Sequence, residues 1–414
     1  MKRYLPFILL LLTFLTKKAL AQKKDLHYYL SQATSNAPAL FLAENQIKSL
    51  GIDSLKLRAT YGPQLSANSN LLYAPVIKGW GYDEAITNGQ NVSAVITVSK
   101  EIGSKNNLET RLASFSIQQQ QLSNQAMLSK KTLEQAVIQQ YIISYGSQQT
   151  YRLAVEIDTF LQNEDQVLLQ LTRSAVFKQT DYLTFKVALL QQHLAVAQSQ
   201  TQLLNDLGNL NYLCGLDGSS WAELQRPVLE DSALLPFEQT VYYKASLLDS
   251  LKNENDAALT KLNYKAKINV FADGGYQSSF IYQAEKNFGG SIGLTLTLPL
   301  YDGHQKKYAL LQNKLLEASR SKATGFYHQQ YNQQIRQLTE QLRQYEQLMK
   351  RASEQLLYAR TLVEANRKQL STGDVRITDY LLSVNNYLNL RTVVIQNDMN
   401  RLSLFNQIHH IILK

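Results

Sequence analysis

Groups able to do chemistry are sparse in this chain of 414 residues, which holds six histidines and one cysteine. His409-His410 is the only histidine pair. Adjacent helix positions do not face one another, so the pair reads as a helix end, not a metal clamp. His193 and His328 stand alone in helical stretches and read as packing or surface. Cys214 beside Gly215 reads as a small buried residue. A single cysteine excludes a disulfide framework and a cysteine-rich zinc site. Gly274-Gly275 and Gly289-Gly290 flank a strand pair and read as loop edges, not phosphate cradles. Asn91-Val92-Ser93 matches a glycosylation acceptor but lies inside a predicted strand. There is no nucleophile-base spacing, so the expectation is a protein that is not an enzyme and carries no cofactor. What stands out instead is a repeated acidic motif. Thr180-Asp181-Tyr182-Leu183 recurs 198 positions later as Thr378-Asp379-Tyr380-Leu381.

Two more anchors keep nearly that offset. Gly103-Ser104-Lys105 precedes Gly303-His304-Gln305 by 200 positions, and Tyr61 precedes Tyr264 by 203. Such spacing marks an internal duplication. Each half reads as helix, strand pair, very long helix, tight turn and second helix. Gly215, Gly218, Pro227 and Pro236 cluster at the boundary. The expected organisation is a signal peptide over 1–21, a first repeat over 22–216, a linker over 217–235 and a second repeat over 236–414. In the first repeat strands are expected near 63–73 and 91–101, with helices near 104–172 and 179–213. In the second, strands are expected near 265–275 and 290–300, with helices near 304–371 and 375–412.

The signal rests on Lys2 and Arg3, an apolar run from Tyr4 to Thr16, and Ala19-Leu20-Ala21 before Gln22. The apolar run is too short to span a bilayer. No cysteine follows it to carry a lipid. The chain carries a formal charge of +9. Removing the four basic residues of the signal leaves about +5, a modest excess that does not call for nucleic acid.

The strands alternate. Ile292, Leu294, Leu296, Leu298 and Leu300 interleave with Gly293, Thr295, Thr297 and Pro299. Ala266, Ile268, Val270 and Ala272 form a second apolar row. Leu65, Ala67, Ser69, Leu71 and Tyr73, then Val92, Ala94, Ile96 and Val98, repeat this alternation in the first half. Strands of about ten residues suit a tilted crossing of a bilayer. Four cannot close a barrel, since single-chain barrels begin at about eight, and open edges do not occur in lipid. The barrel must therefore be shared between copies of the chain. Ala74 to Gly89 and Gln277 to Phe288 would join the strand pairs on the outer side.

Seven prolines in 414 residues leave long helices uninterrupted. None falls between Ser104 and Leu171 or between His304 and Leu370. Such a stretch is about 100 Å of helix at ~1.5 Å per residue. Ile335, Leu338, Leu342, Tyr345, Met349, Ala352, Leu356, Ala359 and Val363 alternate spacings of three and four, a coiled-coil seam. The matching seam Leu153, Ile157, Phe160, Val167 and Leu171 has Glu164 in one position. Gln-rich faces such as Gln118 to Gln121 suit a wall with water on one side and helices on the other. Each hairpin turns at a tip, near Arg173 to Gln179 and at Ser371-Thr372-Gly373-Asp374.

Joined together, these parts resemble the TolC-like outer membrane efflux protein family over nearly the whole mature chain. Leu298-Pro299-Leu300-Tyr301-Asp302-Gly303 is similar to the family's strand-to-helix junction, and Leu370 to Leu388 to its tip turn and following helix. The first-half junction, Ser99-Lys100-Glu101-Ile102-Gly103, lacks the Pro-Leu. The resemblance implies a mainly α chain with a membrane β portion: a homotrimer whose twelve-strand barrel continues as a twelve-helix periplasmic tunnel. It implies an exit duct in the outer membrane that passively conducts substrate from a periplasmic adaptor and an inner-membrane RND or ABC-type pump. It also implies that Asp379, with its repeat partner Asp181, narrows the periplasmic entrance, although Leu382 stands where the family carries a second acid. As a plain helix feature, either Asp is a first-turn carboxylate favoured by the dipole. Arg173, Lys178, Gly373, Asp374 and Arg376 are then the tip residues that would meet the adaptor. The other reading is a structural or adaptor-like coiled-coil protein of the envelope without a pore.

Overall fold

Few helix breakers give very long helices, and the computed structural model shows them directly. It describes residues 24–103, 105–218, 221–229, 234–280 and 283–412. The expected signal peptide lies outside the described residues. Helices α1 (Leu26–Asn36) and α2 (Pro38–Thr60) lead to strand β1 (Gln64–Tyr73). A short helix α3 (Glu84–Thr87) precedes β2 (Gln90–Ile102), which feeds α4 (Lys105–Arg173) and α5 (Gln179–Leu213). The second half runs α6 (Val241–Asn263), β3 (Lys267–Ser278), β4 (Phe288–Thr297), α7 (Gln305–Thr372) and α8 (Ile377–Ile411). The long helices α4 and α7 have 69 and 68 residues, and the return helices α5 and α8 have 35 each.

The fourth strand ends at Thr297, so Leu298 and Leu300 of the expected apolar row fall beyond it. Pro299 explains the stop: it has no N–H to donate to a ladder.

The described residues divide into two units, each drawing on both halves of the chain. One contains the sheet and comprises positions 42–126 and 242–327. Its four strands form an antiparallel meander in the order β1-β2-β3-β4, leaving β1 and β4 as open edges. Glu317 on α7 accepts from Arg320, from Ser250 Oγ at 3.0 Å and from Asn253 Nδ2 at 3.1 Å, tying α7 to α6. Those bonds hold the Glu317 carboxyl down to about 2, with Arg320 the largest cause.

The other unit comprises the described residues within 24–41, 127–241 and 328–412 and holds helical cores. Near the turns, Leu153, Ile157, Leu161 and Leu168 of α4 pack with Phe185 and Leu189 of α5. Val363 and Leu370 of α7 and Ile377, Tyr380, Val384 and Tyr387 of α8 complete that cluster. All nine seam positions on α7 are buried or half-buried. A second cluster joins Tyr29 and Ala33 of α1 to Val137 and Tyr141 of α4, Leu203 and Leu207 of α5, and Cys214. Burial pushes the Cys214 thiol up to about 11.

Candidate functional site: the sheet faces and the hairpin turns

Period-two alternation sorts each strand by itself, but the ladders decide whether the sorted faces coincide. They do. Leu65 pairs with Val98, Ala67 with Ile96 and Leu71 with Val92 across β1 and β2. Across β2 and β3, Val98 pairs with Ala272 and Ile102 with Ile268. Across β3 and β4, Val270 pairs with Leu294, Ile268 with Leu296 and Tyr276 with Phe288. Directly paired residues project to the same side of a sheet. One side is thus a mainly apolar surface that crosses all four strands, with Ser69, Gln90, Lys100 and Ser278 as its polar members. The other side carries Ser66, Asn68, Asn70, Ser93, Thr97, Ser99, Asn269, Asp273, Ser291 and Thr295.

Burial does not explain the apolar side. Leu71 is 78% exposed, Ile292 85% and Leu294 65%. A row of large aliphatics in water on a two-edged sheet is unstable by itself and marks an interaction surface. Phe271, on the polar side, lies over Gly293: a Cβ there would stand 2.2 Å from its ring. That aromatic cover fills the groove left by a side-chain-free partner.

At the turns, both long helices end the same way. Val176 N donates to Leu171 O at 2.9 Å and Ala175 N to Thr172 O at 3.0 Å. Asp374 N donates to Gln369 O at 3.0 Å and Gly373 N to Leu370 O at 3.2 Å. Each pair of bonds is a Schellman ending, which needs a left-handed residue. Ala175 (φ 59°) and Gly373 (φ 82°) supply it, 198 positions apart. The turns also touch. A Cβ on Gly373 would stand 2.6 Å from Val176 Cγ1.

The sequence-nominated residues sit on this frame. Arg173 is the last residue of α4 and is exposed. Lys178 and Arg376 are the N-caps of α5 and α8, and neither makes a side-chain cap bond. Both are exposed. A cation at a helix start opposes the macrodipole, and Asp181 and Asp379 in the first turns offset it. Asp379 is exposed and Asp181 half-buried. Asp374 Oδ2 accepts from Thr372 Oγ1 at 2.6 Å.

Other polar groups behind the turns were not nominated. Glu164, 5% exposed, accepts from Arg367 Nε at 2.6 Å and ties α4 to α7. An acid in an apolar seam position was its signal in the sequence. Asp165 accepts from Lys186 Nζ at 2.7 Å and from Tyr182 Oη at 3.2 Å. That bond and the adjacent carboxylate raise the Lys186 ammonium above its usual value. Tyr380, the repeat partner of Tyr182, is fully buried and its hydroxyl has no hydrogen-bond partner. Burial pushes that phenol up to about 12. A groove of about 560 Å³ lies beside these groups, lined in part by Phe160, Glu164, Arg367 and Tyr387. His193 Nδ1 stands 2.7 Å from Asp158 Oδ1, and His328 stacks on Phe237 at 5.2 Å. Among the described residues, no three His, Cys, Asp or Glu side chains gather as a metal site.

The sequence matches no protein-family model and no curated protein. Solved structures do match. The outer membrane protein VceC from Vibrio cholerae is 11% identical with a TM-score of 0.77, over 93% of this chain and 95% of that one. The CmeC outer membrane channel of Campylobacter jejuni is 12% identical with a TM-score of 0.75, over 94% of this chain and 85% of that one. The open MtrE outer membrane channel of Neisseria gonorrhoeae is 12% identical with a TM-score of 0.72, over 94% of this chain and 88% of that one. This chain therefore shares the fold of these outer membrane channels, the fold that the resemblance to the TolC-like family implies.

Proposed function

We propose that this chain is the protomer of a homotrimeric outer membrane duct that passively conducts substrate out of the periplasm. The observation that carries the reading is the ladder register, which puts one apolar face across all four strands while both sheet edges stay open. Lipid is the solvent that suits such a face, and closure with further copies is what the edges require. Three copies give twelve strands, with the Ser-, Thr- and Asn-rich side toward the lumen. The helical part then lies in the periplasm and offers its tips, with Arg173, Lys178, Gly373, Asp374 and Arg376, to a periplasmic adaptor of an RND or ABC-type pump. Asp379 and Asp181 narrow the entrance in this reading. The near-equal helix lengths and the paired tip endings support a duplicated unit, with repeats over 22–216 and 236–414. The absence of chemistry in the sequence and the channel fold favour a function without catalysis. The test is extraction and mass. The protein should resist carbonate, need detergent, run as a trimer and open a conductance in a planar bilayer. A monomer released by carbonate and stable without detergent would overturn the duct in favour of a pore-less envelope coiled coil.

A further inference from the structure

The end of the sheet away from the long helices carries two loops, and the one between β1 and β2 (74–89) is built in an unusual way. It is an ordered structure. Ala74 N donates to Gly89 O at 2.8 Å and extends the ladder, with Ala74 buried beneath the loop. Ile77 and Trp80 exchange backbone bonds at 2.9 and 3.0 Å around Lys78 (φ 53°) and Gly79 (φ 81°). Positive φ at both central residues is what a tight I′ hairpin requires. Gly81 lets the chain fold back, since a Cβ there would stand 2.9 Å from Pro75 O. Asp83 caps the one-turn helix α3 through Ala85 N at 2.9 Å.

A loop this well fixed could bury its large side chains, yet it holds them out. Trp80 is 85% exposed, Ile86 81%, Tyr82 75% and Ile77 65%. Contiguous apolar exposure of this kind marks a contact. Two features identify its occupant. The loop continues directly from Leu71 and Tyr73, the last members of the β1 row on the apolar face, and Tyr276 and Phe288 close that face at the same end. The residue types are those of a bilayer interface: Trp and Tyr bodies with polar tips, aliphatics, and Lys78 at the turn where an anionic headgroup can meet it.

We infer that the 74–89 loop is an interfacial anchor, with Trp80 seated among the lipid headgroups and upper acyl chains instead of forming a lid in water over the pore. The inference rests on the membrane-barrel reading and deepens it. The experiment uses the chain's two tryptophans, Trp80 and Trp221. Trp221→Phe leaves Trp80 alone as the fluorophore. The trimer is reconstituted in phosphatidylcholine vesicles brominated at shallow or deep acyl positions, with iodide as the aqueous quencher. Trp80 emission should fall at least ~2-fold with shallow bromine and change little with deep bromine or iodide. Quenching by iodide without quenching by bromolipid puts the loop in water and overturns the anchor. Shielding from both puts another copy of the chain on the loop and also overturns it. A control separates this from failure of the barrel. In the Trp80→Phe, Trp221→Phe background, Leu294→Trp on the apolar face should be quenched by deep bromine. If that control is quenched and Trp80 is not, the anchor alone fails. If neither is quenched, the barrel reading fails first.

Discussion

At the scale of single residues, the tips turn on two repeat-equivalent positions. Gly373 is constrained twice, by its left-handed backbone and by Val176 against it. Gly373→Ala should cost about 1–3 kcal/mol locally, the range for a strained left-handed residue. Amide exchange over 369–376 should accelerate ~5-fold or more, since 1.4 kcal/mol is tenfold. Ala175 holds the same conformation with no glycine to ease it. Ala175→Gly should therefore slow exchange in the first turn. Equal responses at both sites would show that neither conformation is strained. Asp379 was proposed to narrow the entrance. If it does, Asp379→Ala should raise single-channel conductance, whereas a carboxylate serving only the helix start would alter melting and leave the pore unchanged.

Among elements, two charged ties carry the argument. Glu164 is buried in the α4 seam and matched by Arg367 from α7. Removing the guanidinium strands a buried carboxylate, a loss of ~3–5 kcal/mol for a fully buried pair. Arg367 is 44% exposed, so water replaces part of it and about 1–3 kcal/mol is expected. Glu164→Gln with Arg367→Ala should recover part of that loss, read as a double-mutant cycle in thermal unfolding. The second tie is Glu317, whose carboxyl sits below its ordinary 4.5, at about 2. A depressed carboxylate contributes stability that is fully present above its unfolded value. That contribution is lost as pH falls from about 4.5 toward about 2. The melting temperature of the natural protein should fall more steeply in that window than that of Glu317→Gln. Parallel slopes would show that the bonds from Arg320, Asn253 and Ser250 do not form in solution.

For the whole molecule, the two sheet faces predict opposite tolerance to charge. Leu294→Arg places a guanidinium on the apolar side, and ~2–4 kcal/mol is the cost of a basic residue at the lipid midplane of a barrel. Trimer yield in outer membranes should collapse. Thr295→Arg, one residue on, faces the polar side and should assemble normally while shifting ion selectivity. Equal yields of the two variants would remove the case for a lipid-facing side. The same logic explains why both faces are exposed in a single chain. In the proposed trimer the sheet is one third of a closed twelve-strand wall, and its missing neighbours are copies of itself.

Local pattern determined much of this protein. Alternation in β1 to β4 and the lack of proline through α4 and α7 are properties of consecutive residues, so the long elements were legible without tertiary information. The α7 seam was legible for the same reason: a three-four spacing on a helix has one face whatever covers it. Its burial came out as the spacing required. Glu164 was visible as an acid in a seam, but its partner lies 203 positions away, and no spacing rule reaches that far. The contact of Val176 with Gly373 and the orphaned hydroxyl of Tyr380 are likewise invisible in sequence, because they arise where two hairpins meet. Most consequential is the pairing of β2 with β3, whose strands are separated by the whole of α4, α5 and α6. A slip of one residue there would have put the second half's apolar row among the first half's polar groups, since side chains alternate with period two. Sequence set the alternation within each strand. Only tertiary structure set the register that merges four alternating strands into one apolar face.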